Sequence, residues 1–247
     1  MDKTVPGETR RDPMATYCLS DIHGMRDVYH KMLEKIRFSP EDTLYIIGDV
    51  VDRGPFGIEL LEEIMDTPNV TLLLGNHELM LLEYYSEGAG ETEISRWDRN
   101  GNVMTKAAFA ARDPGQQGRI LSYIRELPVR LELTVGQRKF CLLHGYPGKT
   151  AFRTVWNRPT GKEKKSPVED AVLIIGHTPV PSVLCSAAGA EERYFMDLER
   201  RGDSVKILHT PAFIDIDCCC GHRVVGSNLA CLRLDDMEEF YVSALEA

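Results

Sequence analysis

Apolar residues along this chain gather into short runs, and the runs are separated by small clusters of Gly, Asp, Asn and His. Residues 15–20, 43–47 and 70–74 are near-continuous apolar stretches of strand length, which predicts buried strands. Each is followed by a stretch with helical spacing, at 25–36, 58–65 and 78–85. In the first of these, Val28, Met32, Leu33 and Ile36 share one face. A strand–loop–helix unit repeated three times favours parallel strands. Residues 86–118 break the pattern, being rich in Gly, Glu, Asp and Arg. With helical spacing at 103–112 and 117–126, the region reads as a helical insertion, about 86–126, covering one edge of the site.

Residues 129–135 and 138–143 predict a hairpin turned at Gly136-Gln137. A charged segment at 161–169 reads as solvated loop, and 171–175 as another buried strand. Further strands are expected at 193–196, 205–209, 213–216 and 229–234, forming a second, mostly antiparallel set. The expected class is α/β (α+β), with two packed sheets flanked by helices. No internal repeat or linker interrupts the chain. Residues 14–247 are therefore expected to form one domain behind a polar, disordered lead at 1–13.

The chain has 247 residues, 43% hydrophobic and 27% charged, ordinary for a globular domain with a sizeable core. No apolar run approaches the ~20 residues of a membrane span. Without an apolar signal core at the start, a cytoplasmic location is the default. The net charge of −9 argues against broad nucleic-acid binding. Seven cysteines, an odd number, do not read as a disulfide framework. Cys18, Cys141 and Cys231 sit in strand-like runs as small core residues. For Cys218-Cys219-Cys220, mixed packing is favoured over an oxidation-sensitive loop near the site.

Candidate chemistry lies in five islands: Asp21-Ile-His23-Gly24, Gly48-Asp49-Val-Val-Asp52-Arg53-Gly54, Gly75-Asn76-His77-Glu78, His144-Gly145 and Gly176-His177-Thr178. Most end a strand-like run, where open α/β folds place their chemistry. Their oxygen and imidazole donors suit Mn, Fe or Zn in an open site better than a thiolate-lined structural zinc cage.

The order of these islands is similar to that of calcineurin-like metallophosphoesterases. Within them it resembles most the phosphoprotein phosphatase branch of bacterial and bacteriophage lambda type. Trp97 to Gly101, Glu126-Leu-Pro128, His144-Gly-Tyr-Pro147, Trp156-Asn-Arg158 and Gly176-His-Thr-Pro179 extend the resemblance, which runs roughly from Ala15 to Leu234. It implies a four-layer α/β/β/α sandwich and two divalent metal ions, Mn2+ first, with Fe, Zn or Mg as alternatives. It assigns Asp21, His23 and Asp49 to one ion, and Asp49, Asn76, His144 and His177 to the other. His77 is the implied general acid, oriented by Asp52, with Arg53 and Arg158 binding phosphate oxygens.

One departure is Leu74, where many protein phosphatases of this group carry arginine before Gly-Asn-His-Glu. Arg96 or Arg99, beside Trp97, is a candidate replacement. The expected activity is hydrolysis of phosphoserine or phosphothreonine in proteins. The alternative is symmetrical hydrolysis of dinucleoside polyphosphates such as diadenosine tetraphosphate, which Leu74 favours and Asp52 and Glu78 disfavour. Expected partners are a phosphorylated protein or peptide, or a phosphorylated small molecule, with no nucleic acid and no membrane. His30 and His209 read as surface or satisfied core residues, while His222 is placed near the site without an assigned role.

Overall fold

The structure, a computed structural model, describes residues 14–189 and 203–246. The lead at 1–13 and the strand expected at 193–196 lie outside the described residues.

The three predicted strand–helix units form as β1 (Thr16–Leu19), α1 (Arg26–Ile36), β2 (Thr43–Ile46), α2 (Gly57–Met65), β3 (Val70–Leu72) and α3 (Asn76–Tyr84). The strands pair in parallel, β1 with β2 and β2 with β3. Side chains alternate across them as the period of two requires. Tyr17 and Leu19 pack with the helices, while Cys18 faces the second sheet.

The insertion holds α4 (Glu91–Asp98), α5 (Val103–Ala110) and α6 (Pro114–Glu126). Of these, α4 was not foreseen as a helix. Asp113 caps α6, accepting from Gly115 and Gln116, with Pro114 at the first helical position. Trp97, Phe109, Ile120 and Ile124 enter the core shared by the helices and the first sheet.

The hairpin forms as expected, β4 (Arg130–Val135) pairing with β5 (Arg138–Leu143). Next come α7 (Ala151–Trp156), β6 (Val172–Ile175), α8 (Val180–Ala188), β7 (Leu208–His209), β8 (Ile214–Asp215), β9 (Asn228–Arg233) and β10 (Glu239–Ser243). The two sheets run β10-β9-β1-β2-β3 and β4-β5-β6-β8-β7. One apolar layer, including Cys18, Ile47, Phe140, Leu142, Ile174 and Leu232, lies between them. Val183 of α8 packs with Cys141, Leu143 and Leu173 on the second sheet's other face. This is the expected four-layer sandwich with two mixed sheets.

Two expectations are corrected. The second sheet is not mostly antiparallel, because β5–β6 and β6–β8 are parallel pairs. The segment at 229–234 joins the first sheet, antiparallel to β1, with Tyr17 opposite Arg233. Its alternation explains this: Leu229 and Cys231 pack toward the helices, Ala230 and Leu232 toward the second sheet. Both faces need cover, and the place beside β1 supplies it. Helices α7 and α8 and strand β10 were missed, the first two because each is short and follows a proline- or glycine-bearing island. No helix among the described residues is long and apolar enough to cross a membrane.

Candidate active site

The islands converge where β1, β2, β5 and β6 end. Asp21, His23, Asp49, Asp52, Asn76, His77, His144 and His177 are all buried. Five of them, Asp21, His23, Asp49, Asp52 and His177, and the neighbouring Arg53 have positive φ between 50° and 70°. Left-handed backbone is uncommon for residues bearing a Cβ and costs on the order of 1 kcal/mol or more at each position. Strain is therefore concentrated in the loops that turn these side chains inward.

Other groups hold the loops in place. Glu78 is fully buried beneath the Gly48–Val51 loop. Its Oε2 accepts from the N–H groups of Asp49 (2.8 Å) and Gly75 (3.1 Å), and its Oε1 from Val50 (2.8 Å) and Val51 (3.2 Å). A Cβ on Gly176 would lie 2.4 Å from Asp21 Oδ2, so only glycine lets the loop after β6 approach Asp21. The same Oδ2 accepts from the His177 N–H at 3.0 Å.

Two groups of donors face inward, His23–Asp49–His77 and Asp49–His144–His177, each with ligand atoms within 4.8 Å of one another. Asp49 belongs to both. His23 and His144 donate from Nδ1 to the carbonyls of Val51 (3.0 Å) and Ile47 (2.7 Å). Their Nε2 atoms are thereby left facing the site, as oriented metal ligands require. Nε2 of His23 and of His177 are buried with no hydrogen-bond partner among the described residues. Orphaned buried imidazole nitrogens are costly unless something else binds them. His144 Nε2 lies 2.9 Å from Asn76 Oδ1 and 3.2 Å from Asp49 Oδ1, three donors aimed at one point. Asp21 Oδ1 stands 3.9 Å from His23 Nε2. This donor set fits two divalent ions.

The electrostatics agree with that fit at Asp49, His23 and His177, while His144 holds a proton that an ion must displace. Burial opposes a charge on Asp49, but His144, His77 and His23 outweigh it and hold the carboxyl well below its usual range. Burial likewise opposes a charge on His144, yet Asp49 and then Asp21 push it up to about 10. Burial, then His144, holds His177 well below its ordinary value, and burial with Arg53 does the same to His23.

His77 differs from its neighbours. Its Nδ1 donates to Asp52 Oδ2 at 2.7 Å, and its Nε2 lies 3.4 Å from the Arg53 guanidinium. Burial works against its charge, but Asp49 and the bond to Asp52 keep its pKa raised. The insertion takes part directly. Trp97 Nε1 donates to the same Asp52 Oδ2 at 2.8 Å. The Asp52 N–H donates to Thr105 Oγ1 at 2.8 Å, and the Arg53 N–H to the Gly101 carbonyl at 2.9 Å. Trp97 thus faces Asp52, and the insertion backs the Asp52-Arg53 turn.

Arg158 is exposed, and its charge reaches His177 and His222. Burial, then Arg53 and Arg158, pushes His222 down to about 4, which puts the loop after Cys219 beside the same arginines. Leu74 packs into the core of the first sheet. Arg96 binds Glu83 at 2.7 Å and lies over the Phe152 ring at 5.1 Å. His30 and His209 pair with Glu63 (2.6 Å) and Glu239 (2.7 Å), away from the site as expected. Cys218, Cys219 and Cys220 are buried, and burial followed by Asp217 raises each thiol. They are held as thiols, consistent with packing.

Asp215 and Asp217 escaped the sequence reading. Both are buried, and Asp217 accepts from the Cys219 N–H at 2.9 Å. Burial raises both well above the carboxylate range, with Asp217 and then Asp21 adding to it at Asp215, and Asp21 and then Asp49 at Asp217. Their signal was present as two carboxylates alternating with isoleucines in Ile214-Asp-Ile-Asp217.

A two-sheet α/β sandwich with paired His/Asp clusters at its strand ends defines a metallophosphoesterase. The chain belongs to the calcineurin-like phosphoesterase family, whose model matches residues 14–225. It is similar to the symmetrical bis(5'-nucleosyl)-tetraphosphatase of Salmonella paratyphi C, 33% identical over 162 residues, 65% of this chain and 51% of that protein. The chain spans about half the length of the curated relatives it matches. Among solved structures, its fold resembles the cold-active protein-tyrosine phosphatase of a Shewanella species (TM-score 0.58, 17% identity, 93% of this chain and 80% of that one). It also resembles a serine/threonine protein phosphatase from Saccharomyces cerevisiae (TM-score 0.57, 13% identity, 92% and 74%).

Proposed function

We propose that this chain hydrolyses dinucleoside polyphosphates symmetrically to nucleoside diphosphates, with residues 14–247 acting as one catalytic domain. The reaction class rests on one observation, the buried convergence of Asp21, His23, Asn76, His144 and His177 around Asp49, with His77 held beside them by Asp52. The substrate class is supported by relatives named as symmetrical tetraphosphatases and by apolar Leu74. This moves the preferred substrate away from the phosphoprotein suggested by the resemblance.

Asp21, His23 and Asp49 would hold one divalent ion, and Asp49, Asn76, His144 and His177 the other. When bound, such ions neutralise the transferring phosphoryl group and lower the pKa of a water toward neutrality. Mn2+ is the first choice because availability decides among ions that imidazole and carboxylate both accept. Asp49, with two oxygens, serves both positions. Arg53 and Arg158 hold the phosphoryl oxygens, for which the planar guanidinium is shaped. His77 gives its Nε2 proton to the departing oxygen, while Asp52 fixes the tautomer through Nδ1.

The His77–Asp52 pair favours a second reading, phosphomonoester hydrolysis. A seryl or threonyl alkoxide is far more basic than a departing nucleoside diphosphate, so a built acid matters more there. Mn-loaded protein assayed on diadenosine tetraphosphate beside phosphoserine, phosphothreonine and phosphotyrosine peptides decides between them. ADP as the favoured product supports the first reading, and preferred phosphate release from peptides replaces it with the second. A protein that binds metal and turns over no phosphate ester at all would revive the reading of a non-catalytic binding protein that has kept the fold.

A further inference from the structure

Beside the metal-ligand loops lies a pocket of about 150 Å³ lined by Gly24, Met25, Arg26, Asp27, Pro55, Phe56 and Arg223. The candidate site uses none of these side chains. The walls are nevertheless tied to it. Gly24 follows His23, and Pro55 stands two residues after Arg53. The Gly54 N–H donates to the His23 carbonyl at 2.9 Å, and the Phe56 N–H to the Gly24 carbonyl at 3.2 Å. The loop carrying Arg223 sits on His23 itself, since a Cβ on Gly221 would lie 2.3 Å from the imidazole Cδ2.

The lining is mixed in a telling way. Pro55 and Phe56, a residue 42% exposed, offer apolar surface, while Met25, 4% exposed, belongs to the core. Asp27 and Arg223 are exposed, while Arg26 is held by Glu63 at 2.9 Å. A bare phosphate would meet Asp27 and a hydrocarbon wall. A purely aliphatic group would desolvate the carboxylate and the guanidinium without pairing them. A nucleobase satisfies both, with π-faces for Phe56 and Pro55 and an edge of donors and acceptors for Asp27 and Arg223. An apolar cavity of similar volume holds a benzene ring, so the space suits one planar heterocycle partly inserted.

We propose that this pocket seats the nucleobase of one half of the substrate, the phosphate chain running back past Arg53 to the donor clusters. The assignment rests on the dinucleoside polyphosphate reading for its reaction, but base binding can be tested without it. The variants are Phe56→Ala, which truncates an exposed ring, and Arg223→Ala. Each is assayed for KM on diadenosine tetraphosphate relative to KM on nitrophenyl phosphate, which carries no base. Inhibition of nitrophenyl phosphate turnover by ADP and by pyrophosphate is measured alongside.

Loss of one base–aromatic stack corresponds to a rise in the KM ratio of about fivefold to a hundredfold. That rise in Phe56→Ala, with ADP losing its advantage over pyrophosphate, is the expected result. If wild type makes ADP but neither variant moves the ratio, the pocket is not the base subsite and the functional reading stands. If wild type makes no ADP, yet ADP outcompetes pyrophosphate in a Phe56-dependent way, the base pocket stands and the reaction assignment falls. No ADP product and no preference for ADP over pyrophosphate removes both.

Discussion

Replacing Trp97 by Phe isolates the contribution of the insertion to the acid. Trp97 is fully buried, packed on Tyr84 and Tyr85 with ring centroids 4.9 and 6.0 Å away. Phenylalanine keeps much of that contact and removes the donor to Asp52 Oδ2. A hydrogen bond to a charged group contributes about 1.5–3 kcal/mol, and the smaller ring leaves a void that adds to the loss. Asp52 Oδ1 has no hydrogen-bond partner among the described residues, so none of them stands ready to replace the donor. Denaturant unfolding should therefore show at least ~1.5 kcal/mol of destabilisation. A second effect follows from sharing. The indole and His77 Nδ1–H bond the same oxygen, so losing the indole leaves more of its charge to the imidazolium. In the metal-free protein Asp49 and the bond to Asp52 raise the pKa of His77, and the bond to Asp52 is the part that persists when ions occupy Asp49. The basic limb of kcat/KM on an alkyl phosphate should move further up in the variant. Stability within ~0.5 kcal/mol of wild type, or a basic limb that stays or moves down, would refute this account of the Asp52 contact.

Three further outcomes are expected. His77→Asn should keep metal stoichiometry by elemental analysis and lose ~10²–10⁴ in kcat on an alkyl phosphate, with a smaller defect on nitrophenyl phosphate. Full rate on the alkyl substrate would remove the acid assignment. Gly221→Ala drives a methyl group into the His23 ring and should weaken metal retention on dialysis, and unchanged retention would show that the loop yields. His144, pushed up to about 10, carries a proton in the metal-free protein at neutral pH, and a bound ion must displace it. The stabilisation from that proton is complete below ~6.5 and is lost as pH rises through about 10. Metal affinity should accordingly climb over the same window, with net proton release at pH 7 in calorimetry across buffers of different ionisation enthalpy. Binding without proton release would contradict this protonation state.

Much of this arrangement was legible from the chain because strand ends and ligand islands coincide. Val50 and Val51 between Asp49 and Asp52 mark a buried turn, and the apolar runs before His144 and His177 place them at strand ends. What could not be read depends on tertiary partners. Nothing local to 229–234 says that it returns to lie beside β1, since both sheets accept a strand covered on two faces. In sequence Trp97 fits a substrate-facing position and a packed one equally, and only the packing of α4 against α3 brings its indole to Asp52. Leu74 was read for the charge it lacks, while in the fold it packs into the core. Arg96, a candidate to supply that charge, is engaged by Glu83 and Phe152.

The placement of strain and of its restraints gives the site a consistent physical logic. Left-handed residues at Asp49, Asp52 and Arg53 turn one loop that carries the proposed shared ligand, the proposed partner of the acid and the proposed phosphate-binding arginine. Each such residue costs stability, and the cost persists only where surroundings over-determine the conformation. Glu78 meets that need from beneath with four backbone N–H groups, and Gly101 and Thr105 meet it from the insertion. Two independent elements thus brace one loop from opposite sides. A scaffold so braced has little reorganisation left when charge develops on the phosphoryl group, which is how preorganised polar sites lower a barrier. On the proposed roles, the insertion is part of the frame that holds the Asp52-Arg53 turn. Differences in substrate between relatives sharing this frame then belong to the surfaces around it, such as the pocket at Phe56 and Arg223, rather than to the donor clusters.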